Sequence, residues 1–236
     1  MLLTMSWWME LVVIIGANVL GAAMALPQAA RLVRTRRTDG VSAGWAAMSI
    51  STNAWWIAYG VAVGSWAIVP VSVVGVIGYG VVLAALVRFR GSGWALFGPT
   101  TSVVVAGVAL APVSGLVGGG WPLVGLVLGG LYGIQLAPAV LGTYRATNLA
   151  GVSAGTWVLA WVEAVLWGVY GLEQHDPGLI VLAAAGLAAS SAVLLRLVIS
   201  ARTAPGAATA AAGLGGSGPA WSGVPGPAEV PAAAGS

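Results

Sequence analysis

Between Trp7 and Ile199 the chain runs through one apolar segment after another, and this pattern dictates most of what it can fold into. Crossing the hydrocarbon core of a bilayer takes about 20 mostly apolar residues. Seven segments qualify: Trp7–Ala25, Ala43–Val63, Trp66–Val87, Thr100–Val117, Trp121–Leu141, Ser153–Tyr170 and Leu179–Ile199. Their apolar runs are continuous and lack a period of two, so helices are expected and barrel strands are not. With 59% hydrophobic and only 6% charged residues, the chain lies outside the range of soluble domains. The expected class is an all-α membrane protein.

The few charges give a direction. Arg31, Arg34, Arg36 and Arg37 follow the first segment, Arg88 and Arg90 the third, Arg145 the fifth, and Arg196 and Arg202 mark the end of the seventh. Seven spans put every arginine on one side; an odd number of spans between Arg37 and Arg145 would not. The positive-inside rule makes that side cytoplasmic, with the N-terminus outside. Nine arginines and no lysine give the net charge of +3, which topology explains without nucleic acid. Heavy use of Ala, Gly and Arg fits a GC-rich bacterial genome, and the expected location is the plasma membrane. Ala23, Met24 and Ala25 look like a signal-peptidase site, but no basic residue precedes the apolar run, so the first helix is expected to be retained.

Part of the chain is written twice. An offset of 111 (138 − 27) pairs Pro27 with Pro138 and Arg34 with Arg145. It also pairs Gly40–Gly44 with Gly151–Gly155, and Trp56, Tyr59 and Gly60 with Trp167, Tyr170 and Gly171. Arg, Trp and Tyr held in one register argue for an internal duplication. A copy of three helices would point the opposite way unless one helix intervened, and Thr100–Val117, which has no counterpart, is that linker. The expectation is therefore two parallel three-helix bundles joined by a fourth helix, 3+1+3. Residues 1–90 form the first repeat, 91–120 the linker, 121–202 the second repeat and 203–236 a disordered cytoplasmic tail rich in Ala, Gly, Pro and Ser. The Gly118, Gly119, Gly120 run is expected to be a flexible turn, and Gly125, Gly129 and Gly133 a close-packing face.

No catalytic constellation is present. Cysteine is absent, the one histidine, His175, falls in a short loop, and no cofactor or metal set is implied. Trp56 and Trp167 are the leading site candidates, being deep in their spans and related by the repeat, whereas Trp7, Trp8, Trp66 and Trp121 lie at span ends, as interfacial tryptophans do. On the same helical faces, three and four residues earlier, stand Asn53 and Thr52 in one copy and Ala164 and Glu163 in the other. Glu163 is the one acidic residue well inside a span. It either serves as interhelical glue or faces the path, where it could contact substrate and exchange a proton. Gln135 is likewise a pocket donor or glue. Pro27 and Pro138 either end their helices or act as a paired hinge.

With Pro27 and Gln28 followed by an arginine-threonine loop, a Gly-Val-Ser entry and the Trp-Ile-Ala-Tyr-Gly run at 56–60, the first repeat resembles the SWEET and SemiSWEET sugar transporters of the PQ-loop group. The resemblance extends over both repeats. It implies alternating access along a central path, with the helices of each bundle packed in the order first, third, second. Pro27, Gln28 and Pro138 would belong to the hinges, Trp56 and Trp167 would stack on sugar, and Tyr59, Tyr170 and Asp176 would form the outer gate. The family's pocket asparagines correspond to Ser72 and Ala183 here, which removes two amides, and Gln28 is matched by Ala139. The expected partners are a small neutral solute, by default a sugar, and the lipid bilayer, with homo-oligomerisation left open. The alternatives are a proton-coupled carrier of amino acids or related solutes, and a receptor or scaffold without transport.

Overall fold

The computed structural model describes residues 5–36, 38, 41–90, 97–147, 149 and 152–203, with the backbone alone at 24, 25, 27, 28 and 203. The tail, with Trp221, lies outside the described residues, as do Arg37 and Asp39. Among the described residues six helices follow one another: α1 (Trp7–Thr35), α2 (Ala43–Val63), α3 (Val69–Arg90, entered through the 3-10 turn Trp66–Ile68), α4 (Pro99–Arg145), α5 (Ala154–Glu173) and α6 (Pro177–Thr203). No strand occurs among the described residues. Residues up to Val198 form one compact unit, and a second begins at Ile199.

Among the described residues four helical stretches are long and apolar enough to cross a membrane: Trp66–Arg90, Pro99–Arg145, Ala154–Glu173 and Pro177–Arg202, with Trp7–Ala23 a shorter apolar one. Seven were expected. α2 is long enough at 21 residues, but Ser49, Ser51, Thr52 and Asn53 interrupt its apolar run. α4, at 47 residues, would extend about 70 Å if straight, over twice the hydrocarbon core. It does not run straight. Gly120 has φ 67° and ψ −159°, a conformation open to glycine, and Pro122 follows it. A Cβ on Gly115 would lie 3.2 Å from the Val124 backbone, so the halves 99–119 and 121–145 fold back on each other. Helix continues through Gly118 and Gly119, so the expected three-glycine turn is a single-residue break.

Neither proline ends its helix. α1 runs through Pro27 to Thr35, and α4 through Pro138 to Arg145. Packing carries α1 past the proline: Ala29 and Leu32 join Val41, Ala43, Ala46, Val82, Ala85 and Leu86 in a buried cluster. Arg36, at φ 55°, then stops the helix with its N–H on the Leu32 carbonyl. The following loop is pinned by Arg90, which donates to the carbonyls of Thr38 and Val41.

The repeated register reappears in local structure. The Ser42 hydroxyl caps α2 by accepting from Trp45 N at 3.2 Å, and the Ser153 hydroxyl caps α5 by accepting from Thr156 N at 3.3 Å. Trp56 meets Tyr59 edge-on at 5.5 Å and 87°, and Trp167 meets Tyr170 at 6.2 Å and 77°. Asn18 ties α1 to α3 by donating to the Ala67 carbonyl at 2.9 Å and accepting from Val71 N at 2.8 Å. Its counterpart is Gly129, where an added Cβ would sit 2.6 Å from the Gly178 carbonyl and 2.9 Å from Leu182 N. The offset of 111 carries Ala67 onto Gly178 and Val71 onto Leu182. One copy joins these helices by an amide and the other by direct backbone contact. Gly125, Gly129 and Gly133 thus form the close-packing face expected of them, against Gly178, Leu182 and Ala185 of α6.

Candidate functional site: a tryptophan-lined cavity

α2 and α5 present matched faces to one cavity of about 270 Å³. From α2 come Trp45, Ser49, Thr52, Asn53 and Trp56, and from α5 come Thr156, Ala160, Glu163, Ala164 and Trp167. Each residue of the second set lies 111 positions after its counterpart in the first. The spacing, four, three, one and three residues, keeps every member on one side of a helix. Ser72 and Tyr79 of α3, Tyr132 and Gln135 of α4 and Leu182 of α6 complete much of the wall.

The five residues expected to meet substrate, Trp56, Trp167, Asn53, Ser72 and Glu163, all line this cavity. Both tryptophans are buried, each 4% exposed. Glu163 is buried too, and its Oε1 accepts from the Trp167 indole N–H at 3.3 Å. The same oxygen would lie 2.8 Å from a Cβ on Gly21, so the missing side chain on α1 makes room for the carboxylate. Gln135 both lines the cavity and binds across it, donating to the Thr52 hydroxyl at 2.5 Å.

The expected gate residues sit elsewhere. Tyr59 and Tyr170 are buried in an apolar cluster with both tryptophans, Ile68, Leu128 and Leu179. The Tyr59 hydroxyl donates to Asp176 Oδ1 at 2.9 Å, and that oxygen also accepts from Leu179 N at 3.1 Å, capping α6. Nearby, Gln174 donates to Glu10 at 3.0 Å and Met5 N to Glu173 at 2.9 Å. These contacts tie α1 and α2 to the α5–α6 connection. In the other direction the cavity shares Thr156 and Trp157 with a second hollow of about 460 Å³, lined also by Gly142, Thr143, Ala146 and Ser153 beside Arg145. Pro138 is exposed and lines neither hollow; of Pro27 and Gln28 only the backbone is described.

Trp45, Tyr79, Tyr132 and Trp157 were not singled out from the sequence. Trp45 was within reach, because stepping back from Trp56 by three, one, three and four residues arrives at it. Tyr132 and Tyr79 carry no such signal, since their counterparts are Gly21 and Ser190. No protein-family model and no curated protein matches the chain.

Proposed function

We propose that the protein is a membrane transporter that moves a small organic solute through the tryptophan-lined cavity by alternating access. The observation that carries this reading is the register match of α2 and α5. Two copies of one face line a single cavity that has the Tyr59–Asp176 bond beyond one end and shares Thr156 and Trp157 with a second hollow at the other. Pseudo-symmetric halves around a central site are how many carriers expose one site to two sides in turn.

In this reading α4 counts as two spans, giving the 3+1+3 arrangement, and α2 is a span whose polar residues face the cavity and not lipid. The arginine-bearing ends are cytoplasmic, so the chain stands closed outside and open inside. Tyr59, Tyr170 and Asp176 form the outer gate, and Pro27 with Gln28 and Pro138 supply the hinges. The resemblance to SWEET and SemiSWEET carriers makes sugar the default solute, stacked between the indole faces of Trp56 and Trp167. A second reading, coupling to protons, is favoured by one specific observation: Glu163 stands in the cavity wall, buried.

The test is uptake and counterflow in proteoliposomes against sugars, polyols, amino acids and organic cations. Saturable flux of one class, reduced by Trp56→Ala, is expected. No flux of any class, with a partner protein still bound, would favour a receptor or scaffold.

A further inference from the structure

We infer that the cavity selects a small monovalent organic cation, a quaternary ammonium or a protonated amine, held by Glu163 among aromatic faces. This rests on the reading of the cavity as the transport site and names its substrate class.

Six aromatic side chains line the cavity: Trp45, Trp56, Trp157, Trp167, Tyr79 and Tyr132. Their ring faces are electron-rich and attract a cation whose charge is spread over C–H groups, the arrangement by which aromatic cages hold quaternary ammonium. One carboxylate, Glu163, stands among them, with Tyr79 and Tyr132 within its electrostatic reach. The amide and hydroxyl groups of the wall offer few of their donors to a bound solute. Ser72 and Thr52 direct their hydroxyl hydrogens at the carbonyls of Ile68 and Met48, at 2.8 and 2.9 Å. Asn53 donates to the Ser49 carbonyl at 2.8 Å, Gln135 to Thr52, and the Trp167 indole to Glu163. These amide and hydroxyl donors, and one indole, are thus turned into the protein, while aromatic rings and one carboxylate remain in the wall. A cation without donors of its own fits that surface, and so does an ammonium that brings its donors with it.

A carboxylate at this depth is neutralised by a proton or by a cation, so the two compete for Glu163. When the cation enters, the Glu163 O–H bond breaks and the proton passes to water through the hollow beside Trp157. When the cation leaves, a proton returns. The titratable groups facing Glu163 are Tyr79 from α3 and Tyr132 from α4, while α1 brings Gly21 against it. Cation binding therefore weakens as pH falls.

The test compares choline with 3,3-dimethylbutan-1-ol, which has the same shape with carbon in place of the charged nitrogen, by calorimetry on the purified protein. The wild type should bind choline at least about tenfold more tightly. Glu163→Gln, which keeps an acceptor for Trp167, should bring the two ligands within about twofold, whereas Glu163→Asp should keep the preference. Lowering pH should weaken choline alone. Equal binding of both ligands by the wild type, or a preference that survives in a monodisperse Glu163→Gln protein, overturns the inference. Counterflow separates it from the reading beneath it. Trp56-dependent flux of glucose without a choline preference removes the cation and keeps the transporter. A Glu163-dependent choline preference without flux removes the transporter and keeps the cation site.

Discussion

Replacing Tyr59 with Phe removes a single hydroxyl from the closed end and should open it. That hydroxyl donates to Asp176 at 2.9 Å, with Tyr59 3% and Asp176 8% exposed. Water replaces little of a bond so buried, and losing it, with Oδ1 left only its bond from Leu179 N, costs roughly 1–3 kcal/mol. If the open state hydrates Asp176, the closed-to-open ratio falls by about 5- to 150-fold. Phe keeps the edge contact with Trp56, and Asp176 keeps its bond from Leu179 N, so neither α2 nor the start of α6 should unravel. The chain has no cysteine, which makes the assay clean. A cysteine at the cavity-lining Ala164 should react with an impermeant maleimide from the outer side at least about five times faster in the Tyr59→Phe background. An unchanged rate would refute the gate reading. An equal rise from both sides would mean general loosening, and would refute it as well.

Other perturbations separate packing from transport. Trp56→Ala should cut flux at least about fivefold while the protein remains monodisperse on gel filtration, since roughly 1 kcal/mol or more of stacking disappears from the cavity wall. Gly129→Ala should lower the melting temperature in detergent, because its Cβ would lie 2.6 Å from the Gly178 carbonyl and backbone there cannot yield cheaply; roughly 1–3 kcal/mol is expected. Asn18→Ala strands Val71 N and the Ala67 carbonyl, and should also cost roughly 1–3 kcal/mol in the same measurement.

The matched faces of α2 and α5 were legible in the sequence because Trp and Tyr are uncommon enough for a shared register to stand out. From Trp56 and Trp167 the helical period gave Asn53, Thr52, Glu163 and Ala164, and all of these meet in one cavity. Tyr132 and Tyr79 were invisible to that logic, because each corresponds to a small residue in the other copy and is brought in by tertiary packing alone. Asn18 was hidden for the same reason, since its bonds to Ala67 and Val71 exist only once α1 and α3 have docked. Pro27 is a strong local stop signal, yet burial of Ala29 and Leu32 beyond it overrides the lost hydrogen bond. The glycine run at 118–120 announced a break without locating it; a positive φ at Gly120 alone did that.

The central claim is that one cavity, built twice over, carries solute across the membrane. Counterflow into proteoliposomes preloaded with choline, run side by side for wild type, Trp56→Ala and Trp167→Ala, tests it most directly. The account predicts saturable accumulation by the wild type and its loss in each variant, since the two indoles occupy equivalent places on one wall. Accumulation that survives in either variant would contradict it.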